Sequence, residues 1–151
     1  MIEPTSLSES IPGLLIFEVD DMIFCTDIRM ITVIQKPEEI EWGGSVNSRD
    51  LTKLNFRGEV YNIINFNRMM KLKRKSIVID SRILLLDVFE RKIAFFVDKV
   101  NEMLSLDKLF IEKSINYVPA ENIDYVSGIL NFQNKSCYFP DYARIVKEVF
   151  E

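Results

Sequence analysis

Apolar residues come in short runs broken by charged or amide pairs, a spacing that predicts strands joined by tight turns. Residues 14–26 (LLIFEVDDMIFCT) read as two strands around Asp20-Asp21, and the β-branched stretch Ile28–Ile34 as a third strand after a kink at Asp27. Pro37 ends it, and residues 38–50, polar and with a Gly43-Gly44 pair, read as a loop. LTKLNFRGEVYNIINF then predicts a hairpin turning at Arg57-Gly58, followed by a helical turn capped by Asn65. Residues 82–97 (RILLLDVFERKIAFFV) predict a further hairpin around Phe89-Glu90-Arg91, with Asp87 toward a turn or solvent. Residues 125–150 predict another, around Gln133-Asn134, and a final helix capped by Asp141.

The order of elements repeats. Asn55-Phe56 and Asn131-Phe132 lie 76 positions apart, as do Asn65 and Asp141, Phe66 and Tyr142, and Arg68 and Arg144. Earlier in each half, Val19 and Val88 are 69 apart and Asp27 and Asp98 are 71 apart, which implies a longer hairpin turn in the second half. The chain therefore reads as a duplicated unit of several short strands and a closing helix. Strands this short leave exposed edges unless the sheet closes, so two small barrels side by side are expected. The run ILLLDVF predicts a strand covered on both faces.

Composition narrows the function classes. In 151 residues, 48% are hydrophobic and eleven are Phe, enough apolar material for a packed core. A net charge of −4 gives a field that opposes nucleic acid and anionic membrane and favours protein partners. Residues 1–12 read as a flexible polar tail and 13–151 as one domain. The apolar runs fall far short of the roughly 20 residues of a membrane span, so a cytoplasmic protein without membrane insertion is expected. Cys25 and Cys137 each sit in an apolar run and read as reduced, buried thiols.

Catalytic chemistry finds little material. The chain has no histidine, which removes Ser-His-Asp and Cys-His catalysis and most zinc sites. Neither a phosphate-binding Gly-x-x-x-x-Gly-Lys loop nor a dinucleotide-binding turn is present. The acid pairs Asp20-Asp21 and Glu38-Glu39 read as solvated turn residues. No enzyme, metal or cofactor is expected. Arg68, Lys71, Lys73, Arg74 and Lys75 form a basic stretch without interleaved aromatics, which reads as a solvated helix end and, at most, a weak docking patch for an acidic protein surface. Arg57 at a hairpin tip, with Gly58 supplying the positive φ of a tight turn, is an exposed anchor of the kind that protein interfaces use.

In context, NFRGEVYNIINF resembles the hallmark hairpin of the CheW-like coupling domain of bacterial chemotaxis. Phe96-Val97-Asp98-Lys99-Val100-Asn101-Glu102 is similar to that family's apolar-Val-Asp-x-Val step, Tyr125-Val126-Ser127-Gly128-Ile129 to its Tyr-x-x-Gly step, and LLIFEVDDMIFCTDIRMITVI to its first hairpin. The resemblance runs in order over residues 14–150. It implies a mainly β fold of two intertwined five-stranded barrels, SH3-like or OB-like, with short helices and a C-terminal helix. It also implies a non-enzymatic adaptor that holds a chemoreceptor cytoplasmic tip and the regulatory domain of a histidine kinase. The implied receptor groove is lined by Ile28, Ile31, Val97 and Val100, with Arg57 and Gly58 near its edge; the same four aliphatics can equally be core. The sequence departs from the family at Asn62 and Asn65, where Pro and Asp are usual, at Val33 for Glu, at Thr52 for Gly, and in the loop around Trp42. A scaffold for another signalling pathway is thus one alternative. A barrel that binds nucleic acid is opposed by the acidic balance, and a small-molecule or catalytic barrel by the missing histidine and loops.

Overall fold

The computed structural model describes residues 12–42, 52–105, 116–120, 122–132 and 134–151. The tail 1–11 and most of the polar stretch 38–50, from Gly43 on, lie outside these residues. Among the described residues twelve strands run in chain order as β1 (Gly13–Val19), β2 (Met22–Asp27), β3 (Ile31–Gln35), β4 (Glu41–Trp42), β5 (Lys53–Phe56) and β6 (Glu59–Ile63), then β7 (Arg82–Val88), β8 (Arg91–Val97), β9 (Lys99–Ser105), β10 (Asn116–Pro119), β11 (Val126–Phe132) and β12 (Lys135–Pro140). Helix α1 (Phe66–Met69) follows β6, and α2 (Tyr142–Phe150) follows β12.

The strands form two sheets of six, ordered β3-β7-β8-β6-β5-β4 and β10-β11-β12-β2-β1-β9. The fold is mainly β with two sheets and few helices, as the sequence implied. Each sheet has six strands where the resemblance implied five. Replacing every strand of the first half by its counterpart in the second, β1 by β7 through β6 by β12, converts one order into the other. The duplication is therefore structural, and it contains an exchange. Hairpin β1-β2 from the first half lies in the sheet built mostly by the second half, and β7-β8 lies in the sheet built mostly by the first. The exchanged hairpins join their host sheets through parallel pairs, Tyr138 with Phe24 and Asn62 with Ile93, which are related by the same offsets, 76 and 69.

The first sheet cannot be flat. Its edge strands β3 and β4 are neighbours in the chain, joined only by residues 36–40, which include a 3-10 turn at Pro37–Glu39. Five strand spacings of about 4.8 Å would put those edges about 24 Å apart in a flat sheet. Six extended residue steps reach at most about 21 Å and the turn shortens them, so the sheet curls into a barrel-like body.

Turn chemistry explains the hairpins. Asp20-Asp21, Arg57-Gly58 and Phe89-Glu90 all have positive φ at both positions, the two-residue turn whose twist matches that of antiparallel strands. Gly58 (φ 79) is the one residue of these six that adopts this region without steric cost. The third turn has two residues, not three, because Arg91 already pairs with Val88. The first hairpins of the two halves thus have turns of equal length, and the longer turn in the second half implied by the 71-residue spacing of Asp27 and Asp98 is absent. The offset through β3 and β9 is 69, which makes Asp98 the counterpart of Arg29. Residues 28–30 likewise form a 3-10 turn instead of extending β3 backward, because the Asp27 carboxylate accepts the Arg29 N–H at 2.9 Å and the Arg29 side chain closes on it at 2.8 Å.

Both exchanged hairpins are covered on two faces. In β7, Leu84, Leu86 and Val88 enter a cluster shared by the two sheets, while Ile83 and Leu85 enter one private to the first sheet. In β1, Leu15, Phe17 and Val19 enter the shared cluster, and Leu14 and Ile16 the other private one. At the centre, Phe66 of α1 stacks on Phe95 of β8 at 4.3 Å and meets Phe24 of β2 edge-on at 5.1 Å, with Phe17 of β1 against all three. Asn65 caps α1 and Asp141 caps α2, each accepting an N–H three residues on. Thr26 and the buried Tyr142 hydroxyl share a 2.7 Å hydrogen bond that fixes α2 against β2. Asp87 is exposed and pairs with Lys92.

Phe66 is 1% exposed and touches rings from both sheets, so Phe66→Ala should cost about 3–5 kcal/mol. Urea unfolding should show this as a lower midpoint of a single transition.

Candidate functional site

The chain passes between sheets at two places within the domain's strand system that bear on the expected groove. Residues 28–30 carry it from β2 in the second sheet to β3 in the first, and Asp98 carries it from β8 in the first to β9 in the second. The four aliphatics implied by the resemblance flank these crossings. Ile28, Ile31 and Val100 are half-buried and pack against the shared cluster; Val97 is 2% exposed and belongs to it. They form two pairs of counterparts, each 69 residues apart: Ile28 with Val97, and Ile31 with Val100. The pairing is visible in the register. Ile31 lies opposite Leu86 and Val100 opposite Phe17, each beside a register shift at the start of its edge strand.

All four side chains thus belong to or pack against one large apolar cluster, Val97 buried within it and the other three partly open to solvent. Arg57 and Gly58 stand at the exposed β5-β6 tip, where the guanidinium lies over the Phe56 ring at 4.9 Å. In the Tyr-x-x-Gly step, Tyr125 adopts φ 61 and its carbonyl accepts the Asp141 N–H at 2.7 Å. Gly128 lies under the Tyr117 ring, which leaves no room for a Cβ.

Two features were not anticipated from the sequence as parts of the site. The first is the bonding of Asp98 to the Asp20 turn: its carboxylate accepts the Asp20 N–H at 2.7 Å, and its own N–H donates to the Glu18 carbonyl at 2.9 Å. A signal existed, since Asp98 stands inside the Val97–Val100 step, but pairing it with Asp27 hid its true counterpart. The second is the exposed triplet Ile77, Val78 and Ile79, held by hydrogen bonds from the Val78 N–H to Ser81 Oγ and from the Arg82 guanidinium to the Ile79 carbonyl. The basic stretch before it is exposed, with Lys75 paired to Asp21 at 2.8 Å and Lys71 near Asp124.

The thiols offer no nucleophile. Burial pushes Cys25 well above the ordinary thiol range, with Cys137 adding to it, and burial pushes Cys137 up to about 11. Both are free, buried and protonated at neutral pH. Among the described residues no cluster of His, Cys, Asp or Glu could hold a metal ion, and no helix is long and apolar enough to cross a membrane.

Two sheets that exchange hairpins, with aliphatic side chains left partly open at the crossings, define the β-rich frame. The CheW-like domain family matches residues 13–150, and the chain belongs to that family of scaffold and adaptor domains. The crystal structure of the scaffolding protein TtCheW from Thermoanaerobacter tengcongensis is similar to this one, with 20% identity, a TM-score of 0.67, and coverage of 86% of this chain and 88% of that one. That likeness concerns the fold. Comparison with curated proteins gives no match.

At pH 8 a thiol reagent should label Cys25 and Cys137 at least about a hundredfold more slowly in the native protein than in urea. The raised thiol pKa values favour the folded state fully below about pH 8.5, and that contribution is lost as pH rises toward the folded value near 11 at Cys137. The urea midpoint of the wild type should therefore fall between pH 8 and pH 11 more than that of Cys25→Ala/Cys137→Ala.

Proposed function

We propose that this protein is a non-enzymatic signalling adaptor that holds a chemoreceptor cytoplasmic tip and the regulatory domain of a histidine kinase by protein–protein binding. The observation that carries this reading is the partly open aliphatic set Ile28, Ile31 and Val100 over the shared core, in a chain that belongs to the CheW-like family. Half-buried aliphatics fixed by strand register form a pre-organised apolar surface, and an amphipathic receptor helix gains affinity there without ordering loops first. Arg57 and Gly58 form the second feature of the reading, since a guanidinium held over Phe56 on a rigid turn can meet a partner carboxylate bidentately.

The groove residues act by shape and apolar contact, so the role needs no cofactor. Charge agrees, since a chain of net charge −4 is poorly suited to nucleic acid. A second reading keeps the surfaces and changes the pathway: Asn62, Asn65, Val33 and Thr52 depart from the residues usual in the family, which supports a scaffold for another signalling system that uses the same groove.

Retention of a purified chemoreceptor tip fragment and a kinase regulatory fragment on the immobilised protein tests the proposal. The wild type should hold both. Val100→Asp places a charge on the apolar surface and should weaken tip binding at least about tenfold, with the fold checked by urea unfolding. Arg57→Glu, at an exposed turn, should weaken partner binding while changing stability by less than about 0.5 kcal/mol. Wild type that retains neither fragment, or a folded Val100→Asp that binds like wild type, would falsify the assignment.

A further inference from the structure

The two crossings are counterparts in the duplicated fold, yet they are held in different ways. At the first, the turn 28–30 is closed from within: Asp27 accepts the Arg29 N–H and its carboxylate is bridged by the Arg29 side chain. At the second, Asp98 takes the place of Arg29 and reaches outward. Its N–H donates to the Glu18 carbonyl at the end of β1, and its carboxylate accepts the N–H of Asp20 in the β1-β2 turn. Asp20 in turn accepts the Lys73 N–H at 2.8 Å, and Asp21 the Lys75 ammonium at 2.8 Å. The second crossing is thus tied to the turn of the exchanged hairpin and, through it, to the segment after α1.

We propose that Asp98 is the positioning residue of the binding groove, its clasp on Glu18 and Asp20 fixing where the chain crosses and so the place of Val100. Asp98 lies between β8 and β9, outside both strands, one residue after Val97 and two before Val100. Strand pairing restrains Val100 from one side only, through Phe17, because β9 is an edge strand. The clasp supplies restraint at the start of β9, and its carboxylate bond is charge-assisted, of the stronger kind. Without it the Asp20 N–H, in a turn at φ 49, loses its acceptor and the β8-β9 step can shift against β1. The partner then meets Val100 in a spread of positions and binding weakens, while the core beneath stays packed.

The inference rests on the adaptor reading, and the experiment separates the two. Binding of a purified chemoreceptor tip fragment is measured for wild type, Asp98→Ala, Asp98→Asn and the control Asp87→Ala, an exposed aspartate paired with Lys92 away from the crossing. Asp98→Ala should bind about tenfold more weakly with a urea midpoint near that of wild type. Asp98→Asn, whose amide oxygen can still accept the Asp20 N–H, should stay within about threefold of wild type, and Asp87→Ala should be unchanged. Amide hydrogen exchange on wild type adds a readout that needs no variant: because the partner selects the clasped state, saturating fragment should slow exchange at Asp20 about fivefold or more. Folded Asp98→Ala that binds like wild type, Asp98→Asn as weak as Asp98→Ala, or an Asp20 amide indifferent to the fragment overturns the inference and leaves the adaptor reading standing. If Asp98→Ala does not fold, the Asp20 amide decides alone. Wild type that fails to bind removes both.

Discussion

Phe66 lies face to face with Phe95, while Phe24 and Phe17 close around the pair, and the rest of the molecule is arranged about that contact. Phe17 and Phe24 come from a hairpin of the first half that sits in one sheet, and Phe95 from a hairpin of the second half that sits in the other. With the hairpins exchanged, rings from both halves and both sheets are buried in one place. Each aromatic ring of this size removes a large apolar area from water, and tilted or offset pairs add to that gain. Neither half can satisfy the shared cluster alone, because its own hairpin has left for the other sheet.

The exchange also determines where function can reside. A chain that places its first hairpin in one sheet and its next strands in the other must cross between them, and it does so at residues 28–30 and at Asp98. At such crossings the backbone leaves one ladder before entering the next, and Ile28, Ile31 and Val100 beside them rest on the core with surface still open. Duplication supplies two such places. Their sequences have diverged into an inward-capped turn and an outward clasp, so the two crossings are held by different chemistry.

Much of this was legible in the chain. The turns at Asp20-Asp21 and Arg57-Gly58, the caps Asn65 and Asp141, and the two-sided burial of ILLLDVF followed from local rules, because turn φ, capping and apolar runs are properties of neighbours in sequence. The repeat was visible in the 76-residue offsets. Hairpin exchange as such is a long-range choice that local patterning cannot state; it entered only through the likeness to a known family. The β-branched residues of Ile28–Ile34 predict a strand from Ile28 on, while the deciding interaction is the Asp27 carboxylate on a backbone N–H two residues on, which makes 28–30 a 3-10 turn. Polar neighbours predict a loop at Glu41–Trp42, yet Ile40 is buried and β4 pairs with β5. Residue type matches Asp98 to Asp27, whereas register sets it against Arg29. Of the groove residues, the sequence could not tell Val97, which is core, from Ile28, Ile31 and Val100, which keep accessible surface.

If hairpin exchange welds the two sheets into one cooperative body, native-state hydrogen exchange should show it: the slowest amides of β1-β2 and of β7-β8, which lie in different sheets, should exchange with the same free energy and the same denaturant dependence, through one global opening. Two distinct opening energies, with one sheet exchanging while the other stays protected, would contradict it.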